Sequence, residues 1–315
     1  MIALAEIEAA RRRIADTVVR TPLVRLQSDD PAAEIHLKLE TLQPIGSFKL
    51  RGAGNALALA GEEDLAAGVW TASAGNMAQA VAWHARKRGL PCAVVVPETA
   101  PETKLDAITR LGGELVKVPP PTWLEVFRTR TYPGMDGFFV HAFSDPQVMA
   151  GNGTIGLEIA EDLPDVDAVL VPYGGGGLAC GIASALRELR LGCKVYACEV
   201  ETAAPLAASL AAGEPVEIEH QPSFVDGIGA PTVFPEMFAL VRGLVAGSIV
   251  VGLDEVARSI RLLLERNRVL AEGAGAASVA AALAGRAGTG KLVCVVSGGN
   301  IDSSKLQTIL AGKTP

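Results

Sequence analysis

Ala168-Val169-Leu170-Val171-Pro172-Tyr173-Gly174-Gly175-Gly176-Gly177-Leu178 holds the change of pattern on which the fold turns. The apolar run reads as a strand covered on both faces, because a strand open to water on one side would alternate. Four glycines follow, and then a helical stretch. A strand that passes through glycines into a helix is half of a parallel α/β unit. Four glycines in a row also expose successive backbone N–H groups at a helix N-terminus, where the helix dipole favours an anion. The stretch therefore reads as a phosphate cradle. The competing reading is a flexible turn, which needs only one or two glycines.

The same alternation extends on both sides. Towards the C-terminus, KVYACEV precedes a helix over Ala203 to Ala212. SIVVG precedes a long helix from Asp254 to Arg268, and KLVCVVSGGN precedes a terminal helix. Towards the N-terminus, a helix from Ala3 to Ile14 leads to Arg20-Thr21-Pro22-Leu23, where proline ends regular structure, and a polar loop runs to the strand IHLKLE. VWTAS, PCAVVVP and ELVKV are each followed by a helical stretch, the last around Trp123 to Arg130, and FFVH closes the series. The fold class is α/β, and the lack of a Pro-rich or Ser-rich linker predicts two closely packed domains.

The totals exclude several functions. At 315 residues and 49% hydrophobic content the chain can bury a large core, and 4% aromatic content makes that core aliphatic. A net charge of -7 argues against nucleic acid, and Arg11-Arg12-Arg13 reads as a solvated helix face. The N-terminus has its charges after its apolar patch, unlike a signal peptide, and no apolar run reaches membrane-spanning length. Five cysteines (Cys92, Cys180, Cys193, Cys198, Cys294) without zinc spacing read as buried reduced thiols of a cytoplasmic protein.

Chemistry is offered at three further places. In Pro44-Ile45-Gly46-Ser47-Phe48-Lys49-Leu50-Arg51-Gly52-Ala53 a lysine stands beside an aromatic residue at a strand-to-helix transition. Burial there would disfavour its charged form and make it a nucleophile, whereas an ordinary helix-start lysine is solvated. Ser73-Ala74-Gly75-Asn76-Met77 opens a helix after VWTAS and offers N–H groups and a hydroxyl to a carboxylate, unless it is only a helix cap. Ser297-Gly298-Gly299-Asn300 leaves the last strand in the same way. Gly285 to Lys291 has P-loop spacing, but Leu292 replaces the Ser/Thr and a strand follows instead of preceding. Glu272 either contacts substrate or caps the following helix. His84 reads as exposed, and His141 as a core or site-edge residue.

GSFKLRGA, SAGNMAQ, GGGGL and SGGN, in this order, resemble the fold type II pyridoxal-phosphate enzymes, within them the serine/threonine dehydratase and serine racemase group. LETLQ at 39–43, AGNGTI at 150–155, Asp226-Gly227 and Glu272 with Gly275-Ala276 extend the resemblance over nearly the whole chain. It implies a tryptophan synthase β-like architecture, each domain a mostly parallel sheet flanked by helices. Residues 1–45 with 143–315 would form the large cofactor-binding domain, and 46–142 the small one. It further implies pyridoxal 5'-phosphate as cofactor, bound through a Schiff base to Lys49, with Phe48 on its ring and Asn76 on its phenolic oxygen. Gly174, Gly175, Gly176, Gly177 and Leu178 would hold its phosphate, and Ser297 would face its ring nitrogen. Ser73, Ala74, Gly75, Asn76 and Met77, with Glu272, would bind the amino-acid substrate.

A hydroxyl opposite the ring nitrogen favours prompt loss of a β-leaving group. The expected reaction is β-elimination of a 3-hydroxy L-amino acid (threonine, serine or a bulkier analogue such as phenylserine) to a 2-oxo acid and ammonia. Ala74 stands where racemases of this group carry a serine acid, which argues against racemisation. Met77 replaces a usual histidine and offers nothing to a charged β-substituent, which disfavours hydroxyaspartate. Phe143 and Trp123 are further candidates to approach the pocket. Relatives bind a cation with a glutamate and an acid six residues on; here Glu199 is followed by Pro205, so no metal is expected. The chain ends at Pro315 without a regulatory domain, so feedback control is not expected. Relatives imply a homodimer or homotetramer. A racemase, a β-replacement enzyme and a non-catalytic amino-acid-binding protein remain as rival readings.

Overall fold

The computed structural model describes residues 1–28 and 33–315. Among the described residues ten strands form two sheets: β1 (Leu23–Arg25), β2 (Glu34–Leu39), β3 (Val69–Ala72), β4 (Cys92–Pro97), β5 (Glu114–Val118), β6 (Phe138–Phe139), β7 (Ala168–Pro172), β8 (Lys194–Val200), β9 (Gly247–Val251) and β10 (Lys291–Val296). The larger sheet has the order β1-β2-β10-β7-β8-β9 and the smaller one β5-β4-β3-β6. Every pairing is parallel except that of β1 with β2.

Alternate residues of the continuous apolar strands enter different cores. From β10, Leu292, Cys294 and Val296 pack with Leu37, Leu170 and Cys198 on one face of the larger sheet. Val293 and Val295 pack with Val169, Val171 and Ala197 on the other. A third core lies under the smaller sheet, where Val94 and Val96 meet Leu50, Leu57 and Met77. Burial on both faces is the physical reason these strands lack polar alternation.

The position of β10 decides where a ligand can go. The last strand of the chain inserts between β2 and β7, with Cys294 opposite Leu37 on one side and Leu170 on the other. The C-terminal ends of these three neighbours therefore release three loops at one edge: the Lys49 loop, the glycine run and the Ser297 loop. Open parallel sheets bind ligands at such an edge.

Several expectations need correction. The stretch after Pro22 contains the short strand β1, whose antiparallel partner is β2; residues 29–32 of the expected polar loop lie outside the described residues. Glu40 is not the last residue of a strand but the first of a 3-10 turn, Glu40–Leu42, and is fully buried. The long helix after β9 ends at Leu262, and a π-helical turn, Leu263–Asn267, closes at Arg268 with φ 60°. His84 is buried, not exposed: its Nε2 lies 2.9 Å from the Leu50 carbonyl, and burial lowers its pKa to about 4. Cys193 is half-buried, while the other four cysteines are buried.

Candidate active site

Lys49 is the first residue of the helix Lys49–Leu59, so its side chain leaves the helix start beside the sheet edge. The loop before it is tied to the Ser297 loop. Phe48 N donates to Ser297 O at 3.0 Å, Gly299 N donates to Gly46 O at 2.9 Å, and Ser47 and Gly298 form an isolated antiparallel bridge. Gly46 takes φ +73°, a left-handed conformation costly for other residues. The Lys49 amine is thereby aimed inward, where Nζ donates to the Ala142 carbonyl at 2.6 Å and lies 5.1 Å from the Phe48 ring centroid. Desolvation brings its pKa down to about 8, against the opposing pull of Glu272.

Glu272 and Asp226 are the acids of the cavity wall, and Glu272 faces Asn76. Its backbone occupies the N-cap position of the helix Gly273–Leu283, yet its side chain makes no cap bond. Instead Oε1 accepts from Asn76 Nδ2 at 2.8 Å. Burial, reinforced by the charge of Asp226, raises its pKa to about 7, while the Asn76 bond, Lys104 and Lys49 act the other way. Asn76 begins the helix Asn76–Arg88, and its Oδ1 accepts from Asn300 Nδ2 at 2.8 Å. Asn300 Nδ2 also reaches the Ile45 carbonyl at 2.9 Å, which fixes the orientation of the Asn76 amide.

The glycine run is shaped by its neighbours. A Cβ on Gly175 would stand 2.0 Å from Cδ1 of Phe143, so no larger residue fits beneath that ring. Gly176 takes φ +88° and caps the helix Gly177–Glu188. The first amide of this region with a helical acceptor is that of Cys180, which donates to Gly176 O at 2.9 Å; those ahead of it have no intrahelical partner. Tyr173 beneath the run keeps a buried hydroxyl without a partner among the described residues, and burial raises its pKa.

Lys49, Asn76, Ala142, Glu272, Asn300 and the glycine run line one cavity of about 410 Å³. Every predicted site residue lies on its wall: Phe48, Lys49, Ser73, Ala74, Gly75, Asn76, Met77, Gly174, Gly175, Gly176, Gly177, Leu178, Glu272 and Ser297. Ser73 Oγ accepts from Gly75 N at 3.2 Å, and a Cβ on Gly75 would point into open space. Phe143 and Trp123 line it as well. The sequence reading missed the Ala142 carbonyl, which as a backbone atom carries no residue signal. It also missed Phe127 and Phe234, whose places depend on helix packing. Glu199 lies elsewhere: its carboxylate accepts from Leu206 N and Ala207 N, each at 2.8 Å, and from Ser248 Oγ at 2.5 Å. It caps a helix start. No group of three or more His, Cys, Asp or Glu able to hold a metal occurs among the described residues.

The donor set fits a phosphorylated aldehyde. A half-buried lysine of lowered pKa can condense with a carbonyl, and an open helix start on a glycine run can take a phosphate.

Comparison with known proteins agrees with this chemistry. The sequence profile of the family described as pyridoxal-phosphate dependent enzyme matches residues 14–298. The L-threonine ammonia-lyase of Thermotoga maritima is 41% identical over 316 residues, covering 98% of this chain and 78% of that protein. The catabolic L-threonine dehydratase of Escherichia coli is 36% identical over 315 residues, covering 98% and 96%. The solved structure of maize serine racemase superposes with a TM-score of 0.91 at 30% identity, covering 99% of this chain and 97% of that one.

Proposed function

Since the chain belongs to the family of pyridoxal-phosphate dependent enzymes, we propose that it is a lyase that eliminates water from 3-hydroxy L-amino acids, releasing a 2-oxo acid and ammonia. The observation that carries this reading is the lysine amine of lowered pKa within a cavity that also holds an open glycine-bounded helix start. The L-threonine ammonia-lyases and dehydratases at 36–41% identity support the reaction class.

Bound pyridoxal phosphate supplies a conjugated sink for the electrons left when the α-proton departs. The chain's own residues do the rest. The Gly174 to Leu178 backbone would bind the phosphate, and Phe48 shields Lys49 from water. The Ser73 to Met77 loop receives the substrate carboxylate on backbone amides and thereby orients the α-carbon. Lys49 Nζ, in its uncharged form, would take the α-proton there, and the β-hydroxyl would leave with a proton as water. Ser297 would offer the cofactor ring a hydroxyl instead of a carboxylate. Asn76, its amide fixed by Asn300 and Glu272, would help hold the cofactor ring, and the raised pKa of Glu272 favours a proton on the carboxyl beside it.

We assign residues 1–45 with 143–315 to a large domain and 46–142 to a small one; the smaller sheet falls within the second range. Five unpaired cysteines support a reducing, cytoplasmic setting. The exposed Leu42 and Leu270 support self-association as a homodimer or homotetramer, which light scattering would measure. Among the described residues no helix is long and apolar enough to cross a membrane. The structural similarity to maize serine racemase favours a second reading as a racemase, but Ala74 brings no acid to the cavity wall.

The test is an absorbance scan of the purified protein with L-serine, L-threonine and L-threo-phenylserine, assaying 2-oxo acid. A Schiff-base band in the wild type that disappears in Lys49→Ala, with 2-oxo acid from at least one substrate, is expected. A band with no 2-oxo acid would reject elimination, and no band would reject the role of Lys49.

A further inference from the structure

The helix Pro120–Thr129 carries three large apolar side chains, Trp123, Leu124 and Phe127, yet Val126 alone is fully buried in it. Leu124 is 37% exposed, and Trp123 and Phe127 are half-buried. All three line the cavity that contains Lys49. An apolar face left open inside a cavity is unfavourable until something apolar covers it.

The rings form a continuous belt. Trp123 and Phe127 stack with centroids 5.4 Å apart; Phe127 meets Phe143 at 5.5 Å, and Phe143 meets Phe234 at 5.3 Å. The belt reaches the reacting centre, because Phe143 directly follows Ala142, whose carbonyl accepts from Lys49 Nζ at 2.6 Å. The methyl group of threonine could cover little of such a wall, whereas an aromatic ring finds partners at the spacing that edge-to-face packing prefers.

Charge points the same way. Of the two other cations on the cavity wall, Lys104 is paired with Asp226 at 2.7 Å, and Arg128, which lines the cavity beside Phe127, is exposed to solvent. Met77 adds another apolar group. An acidic β-substituent seated against the aromatic belt would be desolvated by it.

We propose that Trp123, Phe127, Phe143 and Phe234 form a subsite for a bulky apolar β-substituent, so that the preferred substrate is an aromatic 3-hydroxy amino acid of the phenylserine type. The inference rests on the elimination reading and narrows its substrate.

The test compares kcat/KM for L-threo-phenylserine and L-threonine in the holoenzyme and in Trp123→Ala and Phe127→Ala. Using their ratio cancels any loss of folded enzyme. The wild-type ratio is expected to favour phenylserine at least tenfold and to fall at least tenfold in each variant, the range that a hydrophobic pocket commands. A wild-type preference for threonine, or a ratio unchanged in both variants, overturns the subsite and leaves elimination standing. Calorimetric titration of the holoenzyme with L-phenylalanine and L-alanine, which lack the leaving hydroxyl, separates the two readings. At least tenfold tighter binding of phenylalanine, lost in Trp123→Ala, is expected even if no 2-oxo acid is ever released; equal binding of the two overturns the subsite.

Discussion

Asn76 Nδ2 donates to Glu272 Oε1 at 2.8 Å, joining the helix that follows β3 in the smaller sheet to a helix start beside the larger one. The carboxyl group at this junction is half-buried in the cavity wall. Burial raises its pKa from 4.5 to about 7, so the folded protein keeps a proton that the unfolded chain loses. Stability contributed by that proton is present at low pH and falls as pH rises from about 4.5 through 7. In the cofactor-free protein, Glu272→Gln should therefore gain on the wild type between pH 5 and pH 8, on the order of 2 kcal/mol. Urea midpoints at the two pH values measure it. A difference between the two proteins that does not change with pH would show that the carboxyl carries no such penalty.

Gly175 lies under Phe143, and the contact predicts a paired effect. A methyl group at 175 would enter the ring, 2.0 Å from Cδ1, and displace either the ring or the loop. Gly175→Ala should weaken cofactor binding at least tenfold while leaving far-UV circular dichroism unchanged. Phe143→Ala in the same chain should recover part of the loss, since neighbouring sites couple where distant ones add. Additive losses in the double variant would mean that the two residues act separately.

Two residues beyond the reactive lysine, Arg51 joins the site to the body of the protein. Its Nε and Nη2 bind the two oxygens of Glu40, each at 2.8 Å, and Nη1 and Nη2 bind those of Glu158 at 2.6 and 2.9 Å. Lys38 completes the network with a 2.6 Å contact to Glu158. All four side chains are buried, so removing the guanidinium strands two carboxylates with one ammonium between them. Arg51→Met should lose about 3–5 kcal/mol of stability, and Arg51→Lys should recover little because an ammonium cannot fork. Glu40 is held below its ordinary pKa, so its share of the stability is present above pH 4.5 and is lost as pH falls below that. Chemical denaturation with a loss under about 1 kcal/mol would contradict the network's role.

Local sequence made much of the site legible. Lys49, the glycine run, the Ser73 to Met77 loop and Ser297 each stand where an apolar strand gives way to a helix or loop, and that placement needs only local pattern. Their convergence depends on β10 entering between β2 and β7, which no local pattern states. The Arg51 network was hidden for the same reason: Arg51 and Glu158 are 107 residues apart, and a charged residue shows its burial only through its partner. His84 was misread because charged neighbours on its helix imitate a solvated face, while its ring turns to the Leu50 carbonyl. For Glu272, the backbone cap and the inward side chain proved compatible, and sequence alone could not separate them.

The amine of half-buried Lys49 should betray its desolvation in its chemistry. At a pKa of about 8 roughly one molecule in ten carries it uncharged at pH 7, against roughly one in three thousand for a lysine at 10.5. Only the uncharged amine condenses with an aldehyde. Capture of pyridoxal phosphate by the cofactor-free protein, trapped with borohydride and located by peptide mapping, should thus rise about tenfold per pH unit up to about 8 and then level off. Surface lysines should go on rising to pH 10. The Ala142 carbonyl accepts from the charged and the uncharged amine alike, so it does not move this limit; the surrounding desolvation does. Opening the wall with Phe48→Ser should readmit water and shift the plateau upward. A trapping rate at Lys49 that still climbs beyond pH 9 in the wild type would mean that the amine is solvated, and the reading of this residue as the reactive group would fail.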